Sequence, residues 1–114
     1  MIYFSLIELG DQGVWYISDF IAANKWAKNI KLVKNKITDE GGIILAKALE
    51  ENHTIQTVNL SQNLLTERTV EAFLNLVKVN PTLKYLYFNQ NSMKIMNVKA
   101  KVKELQSLGV NTSI

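Results

Sequence analysis

Asn35, Asn63 and Asn91 stand 28 residues apart. Amides repeated at one spacing can act as a ligand ladder or as fixed partners for backbone polar groups. Little else in the chain suits a metal centre. There is no cysteine and one histidine, His53, so disulfides, thiolate sites and His-based metal centres are excluded. Gly41-Gly42 is too sparse for a phosphate-binding loop. The one arginine, Arg68, would have to carry any GTPase-activating chemistry, since such activators supply an Arg or Asn to the partner's nucleotide. Its helical setting does not favour that role. Asn52-His53-Thr54 and Asn111-Thr112-Ser113 match the glycosylation acceptor pattern, but the register-related Asn80 precedes Pro81 and is no acceptor. No nucleophile and base stand in a recognisable constellation. The expectation is a non-catalytic chain without cofactor or metal.

Bulk properties point the same way. The 114 residues suffice for one core, and a hydrophobic share of 47% is too high for a disordered chain. The formal charge of +3 comes from acids and bases mixed along the chain, unlike the basic stripe of a nucleic-acid binder. No apolar run approaches the roughly 18 residues needed to span a bilayer. The opening Met1-Ile2-Tyr3-Phe4-Ser5-Leu6-Ile7-Glu8 lacks the basic and long apolar regions of a secretory signal. The expected location is the cytoplasm, or a host cell if the chain is a bacterial effector.

The elements that would position these residues follow from an internal repeat. Shifting the chain by 28 residues aligns Ile2, Ile30, Val58, Leu86 and Ile114. It also aligns Phe4, Leu32, Leu60 and Phe88; Leu9, Ile37, Leu65 and Met93; Ile17, Leu45 and Phe73; Phe20, Ala48 and Leu76; and Ile21, Leu49, Val77 and Leu105. Asp11 aligns with Asp39, Gly13 with Gly41, and Asn24 with Asn52 and Asn80. Within a unit the period changes. Val58 and Leu60 alternate with polar residues, as in a strand, whereas Val70, Phe73, Leu74 and Val77 fall at helical spacing. Thr38 and Thr66 are suited to cap the helices, with acids just after them. Turns at Asn52 and at Asn80-Pro81 end the helices. Strands joined through helices must be parallel. The reading is one domain over 1–114, with four 28-residue repeats at about 1–26, 27–54, 55–82 and 83–110 and a terminal strand near 112–114.

Ala27-x-x-Ile30-x-Leu32-x-x-Asn35-x-Ile37, Ile55-x-x-Val58-x-Leu60-x-x-Asn63-x-Leu65 and Leu83-x-x-Leu86-x-Phe88-x-x-Asn91-x-Met93 resemble the leucine-rich repeat. The unit length and the helical half from Ile37 to Leu49 resemble its ribonuclease-inhibitor-like subfamily. The resemblance implies an α/β fold: a right-handed α/β solenoid, or horseshoe segment, with a parallel sheet on the concave side and helices on the convex side. It also implies that Asn35, Asn63 and Asn91 turn inward as a structural ladder satisfying loop backbone groups. It implies no particular function, since members share a scaffold and differ in partners. The outer units depart from the pattern. Ile7 replaces the Asn of the first, Ile95 and Asn97 replace the Asp and Gly of the fourth, and Lys101 and Glu104 stand at core positions. The fourth helix is expected to shift by one, turning Val98, Val102 and Leu105 inward.

Alternate strand residues face away from the core: Tyr3 and Ser5; Asn29, Lys31 and Val33; Thr57, Asn59 and Ser61; Tyr85, Tyr87 and Asn89. Of these, Lys31, Thr57, Asn59, Ser61, Tyr85, Tyr87 and Asn89 form the expected partner-binding set on the concave face, with the two tyrosines as anchors. Trp15 and Trp26 are expected to pack and cover an edge, the alternative being contact points on the convex side. Lys94, Lys99, Lys101 and Lys103 read as a solvated face. The function expected is protein–protein interaction with an unspecified protein. The alternative is an assembly subunit docking by its convex helices or by the open edge at Ile2, where self-association is expected.

Overall fold

The alternation in Thr57-Val58-Asn59 and its register mates places one apolar side chain per strand beneath a row of short parallel strands. The computed structural model describes residues 1–3 and 8–114; Phe4, Ser5 and Ile7 lie outside these. Among the described residues the chain order is β1 (Ile2–Tyr3), α1 (Gly10–Ala23), β2 (Asn29–Lys31), α2 (Asp39–Leu49), β3 (Thr57–Asn59), α3 (Glu67–Val79), β4 (Tyr85–Tyr87), α4 (Ile95–Ser107) and β5 (Asn111–Ser113). The strands form one parallel sheet in sequence order. Ile30 lies beside both Ile2 and Val58, and Val58 beside Leu86. The core lies between sheet and helices, where Ile30, Val58 and Leu86 meet Leu45, Val70, Phe73, Val98 and Leu105. The rings of Phe73 and Phe88 meet edge-on, 5.9 Å between centroids at 75°.

Helix boundaries follow from capping. Thr38 Oγ1 accepts the Glu40 N–H and Thr66 Oγ1 the Arg68 N–H, satisfying donors that the first turn leaves free. Leu9 and Lys94 precede α1 and α4 and carry no acceptor for this purpose. The Asp11/Asp39 column ties each unit to the next. Asp11 Oδ1 accepts the N–H groups of Thr38 and Gly41. Asp39 Oδ1 accepts the Thr66 N–H and the Thr69 hydroxyl at 2.9 and 2.7 Å. Burial of Asp39 raises its pKa, but the hydrogen bonds from Thr66 and Thr69, with Arg68 nearby, outweigh it and hold the carboxyl below its ordinary 3.8. The stability this provides is present above that ordinary value and is lost as pH falls through the folded value. Asp39→Asn is therefore expected to cost about 1–2 kcal/mol at neutral pH and to flatten the acid-side decline. Urea melts of both proteins between about pH 2 and 7 check this.

Four expectations are corrected. Ile114 does not join the Ile2 column: Thr112 pairs beside Leu86, so the last unit is two residues shorter than a full period. The cause is the helix end. The turn after α3 passes through Asn80 and Pro81, whereas α4 ends on Gly109 at φ 90°, with the Val110 N–H donating to the Leu105 carbonyl. That left-handed glycine closes the helix in a tighter turn. Second, α4 does not shift by one. Val98 and Leu105 are buried in the columns of Val70 and Val77, and Val102 is only partly buried. Third, Phe20 does not share the burial of Ala48 and Leu76; it is 55% exposed. Fourth, Trp15 and Trp26 are exposed rather than packed as edge cover. Trp15 lines an open groove between α1 and α2, and Trp26 lies in the turn after α1.

Candidate functional site

The loops after the strands set the geometry of the sheet face. Lys34, Gln62 and Gln90 each take a left-handed backbone, which is costly for residues other than glycine. An asparagine follows each of them and binds the reversed backbone on both sides. Asn63 Nδ2 donates to the carbonyls of Leu32, Leu60 and Ser61, and its Oδ1 accepts the N–H groups of Asn35 and Ile37. Asn91 Nδ2 donates to Leu60 and Phe88 carbonyls, and its Oδ1 accepts the Leu65 N–H. Asn35 Nδ2 donates to the Val33 carbonyl, while its Oδ1 accepts the Leu9 N–H. Each of the three side chains makes at least one bond to a backbone group of the preceding unit.

A second ladder closes the other end of each unit. Asn52 Nδ2 donates to the Ile21 and Asn24 carbonyls, and Asn80 Nδ2 to those of Leu49 and Asn52. Asn52 is 2% exposed, so a glycan on that nitrogen is incompatible with the fold. Local sequence marks these residues only as turn formers. Their 28-residue spacing was visible, but their cross-unit partners lie 28 to 31 residues away.

Held by these ladders, Lys31, Thr57, Asn59 and Tyr87 converge on one shallow cleft of about 290 Å³, also lined by Met1, Asn29 and Ile30. Lys31 Nζ stands 5.5 Å from the centre of the Tyr3 ring, within cation–π range. Tyr85 does not line the cleft but pairs beside Thr57 in the sheet, and it is 43% exposed. Two of the expected residues are otherwise engaged. Ser61 is buried, and its backbone N–H is held by Asn59 Oδ1. Asn89 Nδ2 donates to Ser113 Oγ at 2.7 Å. Ser61 is thus corrected from contact residue to buried support: beyond the last strand residue, the turn toward Asn63 draws it inward. The cleft offers an ammonium, amides, a hydroxyl and aromatic rings, a set suited to recognition. Among the described residues no group of three or more His, Asp or Glu is placed to hold a metal, and no helix is long and apolar enough to cross a membrane. Arg68 is exposed on the first turn of α3, away from the cleft.

No protein-family model matches the chain. It is 30% identical over 99 residues to Leiomodin-3 of Mus musculus, an alignment covering 84% of this chain and 17% of that protein. Leiomodin-3 of Homo sapiens matches at 30% over the same length, 18% of it being covered. The chain therefore spans less than a fifth of these relatives. Among solved structures, Leiomodin-1 Actin-Binding Site 2 superposes with a TM-score of 0.79 at 20% identity, covering 90% of this chain and 61% of that one. The shared feature is the fold, strand–helix units of leucine-rich-repeat type on a parallel sheet.

Proposed function

We propose that this chain is a non-catalytic protein-binding module whose partner is actin, engaged through the outer face of the sheet. The observation that carries the reading is the cleft of Lys31, Thr57, Asn59 and Tyr87 beside the exposed Tyr85. The likeness to an actin-binding site of Leiomodin-1 supports the choice of partner. Tyrosines at the centre of such a face supply large contact area at small entropic cost, with a hydroxyl for orientation. In finer detail, the units are of the ribonuclease-inhibitor-like subfamily, four repeats at about 1–26, 27–54, 55–82 and 83–110 in a single domain. They curve as a right-handed solenoid with the sheet on the concave side, and the module acts in the cytoplasm. The asparagines at 35, 63 and 91 are structural, and no cofactor is needed.

Titration of the chain against fluorescently labelled monomeric actin, with co-sedimentation against filaments in parallel, tests this reading. Saturable binding is expected in at least one of the two. Tyr85→Ala with Tyr87→Ala should weaken it by roughly tenfold or more, the loss typical of an aromatic interface anchor. An unchanged affinity in the double variant removes the sheet face from the proposal, and no binding to either form of actin removes actin.

A further inference from the structure

A groove between α1 and α2, on the helical side of the fold, has an apolar floor. Trp15, Ala22, Ile43, Ile44 and Ala48 line one stretch of about 530 Å³. Trp15 and Ile44 also line a second stretch of about 430 Å³, so the two are continuous. The walls extend from Asp11 to Ala22 and from Glu40 to Glu51, about 16 Å at the rise of a helix. The repeat does not require an apolar floor here. Trp15 and Ile43 share one column of the 28-residue register, and α3 and α4 place Glu71 and Lys99 in it. Helix positions turned to solvent are ordinarily polar, and Glu71 and Lys99 are exposed. Trp15 is 59% exposed, and its ring meets that of Tyr16 edge-on with centroids 5.1 Å apart. A large aromatic ring thus stands where later units carry a charge.

The rim of this groove is acidic, in a chain whose formal charge is +3. Asp19 and Glu51 stand along one stretch, Asp11 and Glu40 along the other, against a single base, Lys47. Asp11 is engaged by the N–H groups of Thr38 and Gly41. Asp19, Glu40 and Glu51 are exposed and pair with no base among the described residues. Both walls are helices, whose backbone groups bond within the helix. The groove therefore offers no sheet edge to an extended strand, and an occupant must satisfy its own backbone, as a helix does.

We propose that the α1–α2 groove binds a short basic amphipathic helix of another protein, its apolar side chains on Trp15, Ile43 and Ile44 and its lysines or arginines beside Asp19, Glu40 and Glu51. The length of the groove fits about three helical turns, enough for apolar anchors at i, i+3 or i+4, and i+7. Basic side chains suit the rim twice over, since their apolar stems lie along Trp15 while their charged ends reach the carboxylates. An acidic helix would meet three unpaired carboxylates, and a wholly apolar one would strip them of water without replacing it. The groove and the sheet face lie on opposite sides of the core, so this proposal stands or falls apart from actin binding.

The test titrates the chain into a fluorescently labelled peptide of about 14 residues, about 21 Å as a helix, made of leucine and lysine with the leucines at helical spacing. Fluorescence anisotropy should show saturable binding with a Kd below about 1 mM, weakening at least threefold as salt rises from about 50 to about 300 mM. A peptide of the same composition with leucine and lysine alternating has no apolar helical face and should bind at least tenfold more weakly. Trp15→Gln leaves the charge unchanged and makes the column polar, as it is in α3 and α4; it should weaken binding about tenfold. Glu40→Gln with Glu51→Gln should weaken it about threefold and reduce its dependence on salt. The altered side chains are exposed, and circular dichroism melts confirm that the variants fold. Amide shifts in NMR spectra of the complex should change along α1 and α2. No saturable binding, equal binding of the alternating peptide, an unchanged affinity in Trp15→Gln, or shift changes centred on the sheet face each overturn the proposal.

Discussion

Asn63→Ala is expected to lower stability by about 3 kcal/mol, a fall of roughly 10–15 °C in the melting temperature for a chain of this size. The side chain is 5% exposed and makes five backbone hydrogen bonds. Its loss leaves the N–H groups of Asn35 and Ile37 without their acceptor, in a loop that also holds the strained Gln62 backbone. Of the three carbonyls, Leu60 keeps a donor in Asn91, so the cost is less than a sum over five bonds. Asn91→Ala is the internal comparison. It sits in a half-exposed loop where water can replace the amide, and about 1 kcal/mol is expected. Thermal and urea melts of both variants check the order. Equal destabilisation would mean that burial of the ladder does not govern its worth.

Phe73→Ala should be more damaging, at about 3–5 kcal/mol, because truncating a fully buried ring loses transfer free energy and leaves a cavity. The edge-on contact with Phe88 adds to the loss. Against the roughly 5–15 kcal/mol that holds an ordinary domain, this brings the chain near its folding limit. Phe73→Leu keeps most of the volume and should cost less than about 1.5 kcal/mol. Phe20→Ala removes the same ring from an exposed position, and its effect on the monomer should stay within about 0.5 kcal/mol. A small effect of Phe73→Ala, or a large one of Phe20→Ala, would contradict the packing described above.

The two phenylalanines mark what could be read without coordinates. Both fall in apolar columns of the 28-residue register, and the register alone gives no reason to separate them. Phe73 is packed between strands and neighbouring helices, while Phe20 points to a flank on which no described element lies. Likewise Thr38 and Thr66 were legible as caps, because capping is a contact between residues two or three apart. The further bonds of Asp11 and Asp39 to those caps were not, because they join residues 27 to 30 apart. The same holds at the candidate site. Alternation assigned Lys31, Thr57, Asn59, Tyr85 and Tyr87 to one face, but it also assigned Ser61, which the turn toward Asn63 buries.

By itself, then, the sequence determined the alternating strands and helices, their parallel order, most of the core and the inward asparagines. These depend on side-chain periodicity, capping and turn chemistry, which act over a few residues and repeat with each unit. Only the tertiary structure decided the rest: the two-residue shortening before β5, the exposed aromatic flank of α1, the cross-unit roles of Asp39, Asn52 and Asn80, and the cleft of Lys31, Thr57, Asn59 and Tyr87. Each is a relation between neighbouring units, set by which groups of one unit stay unsatisfied until another is laid against it.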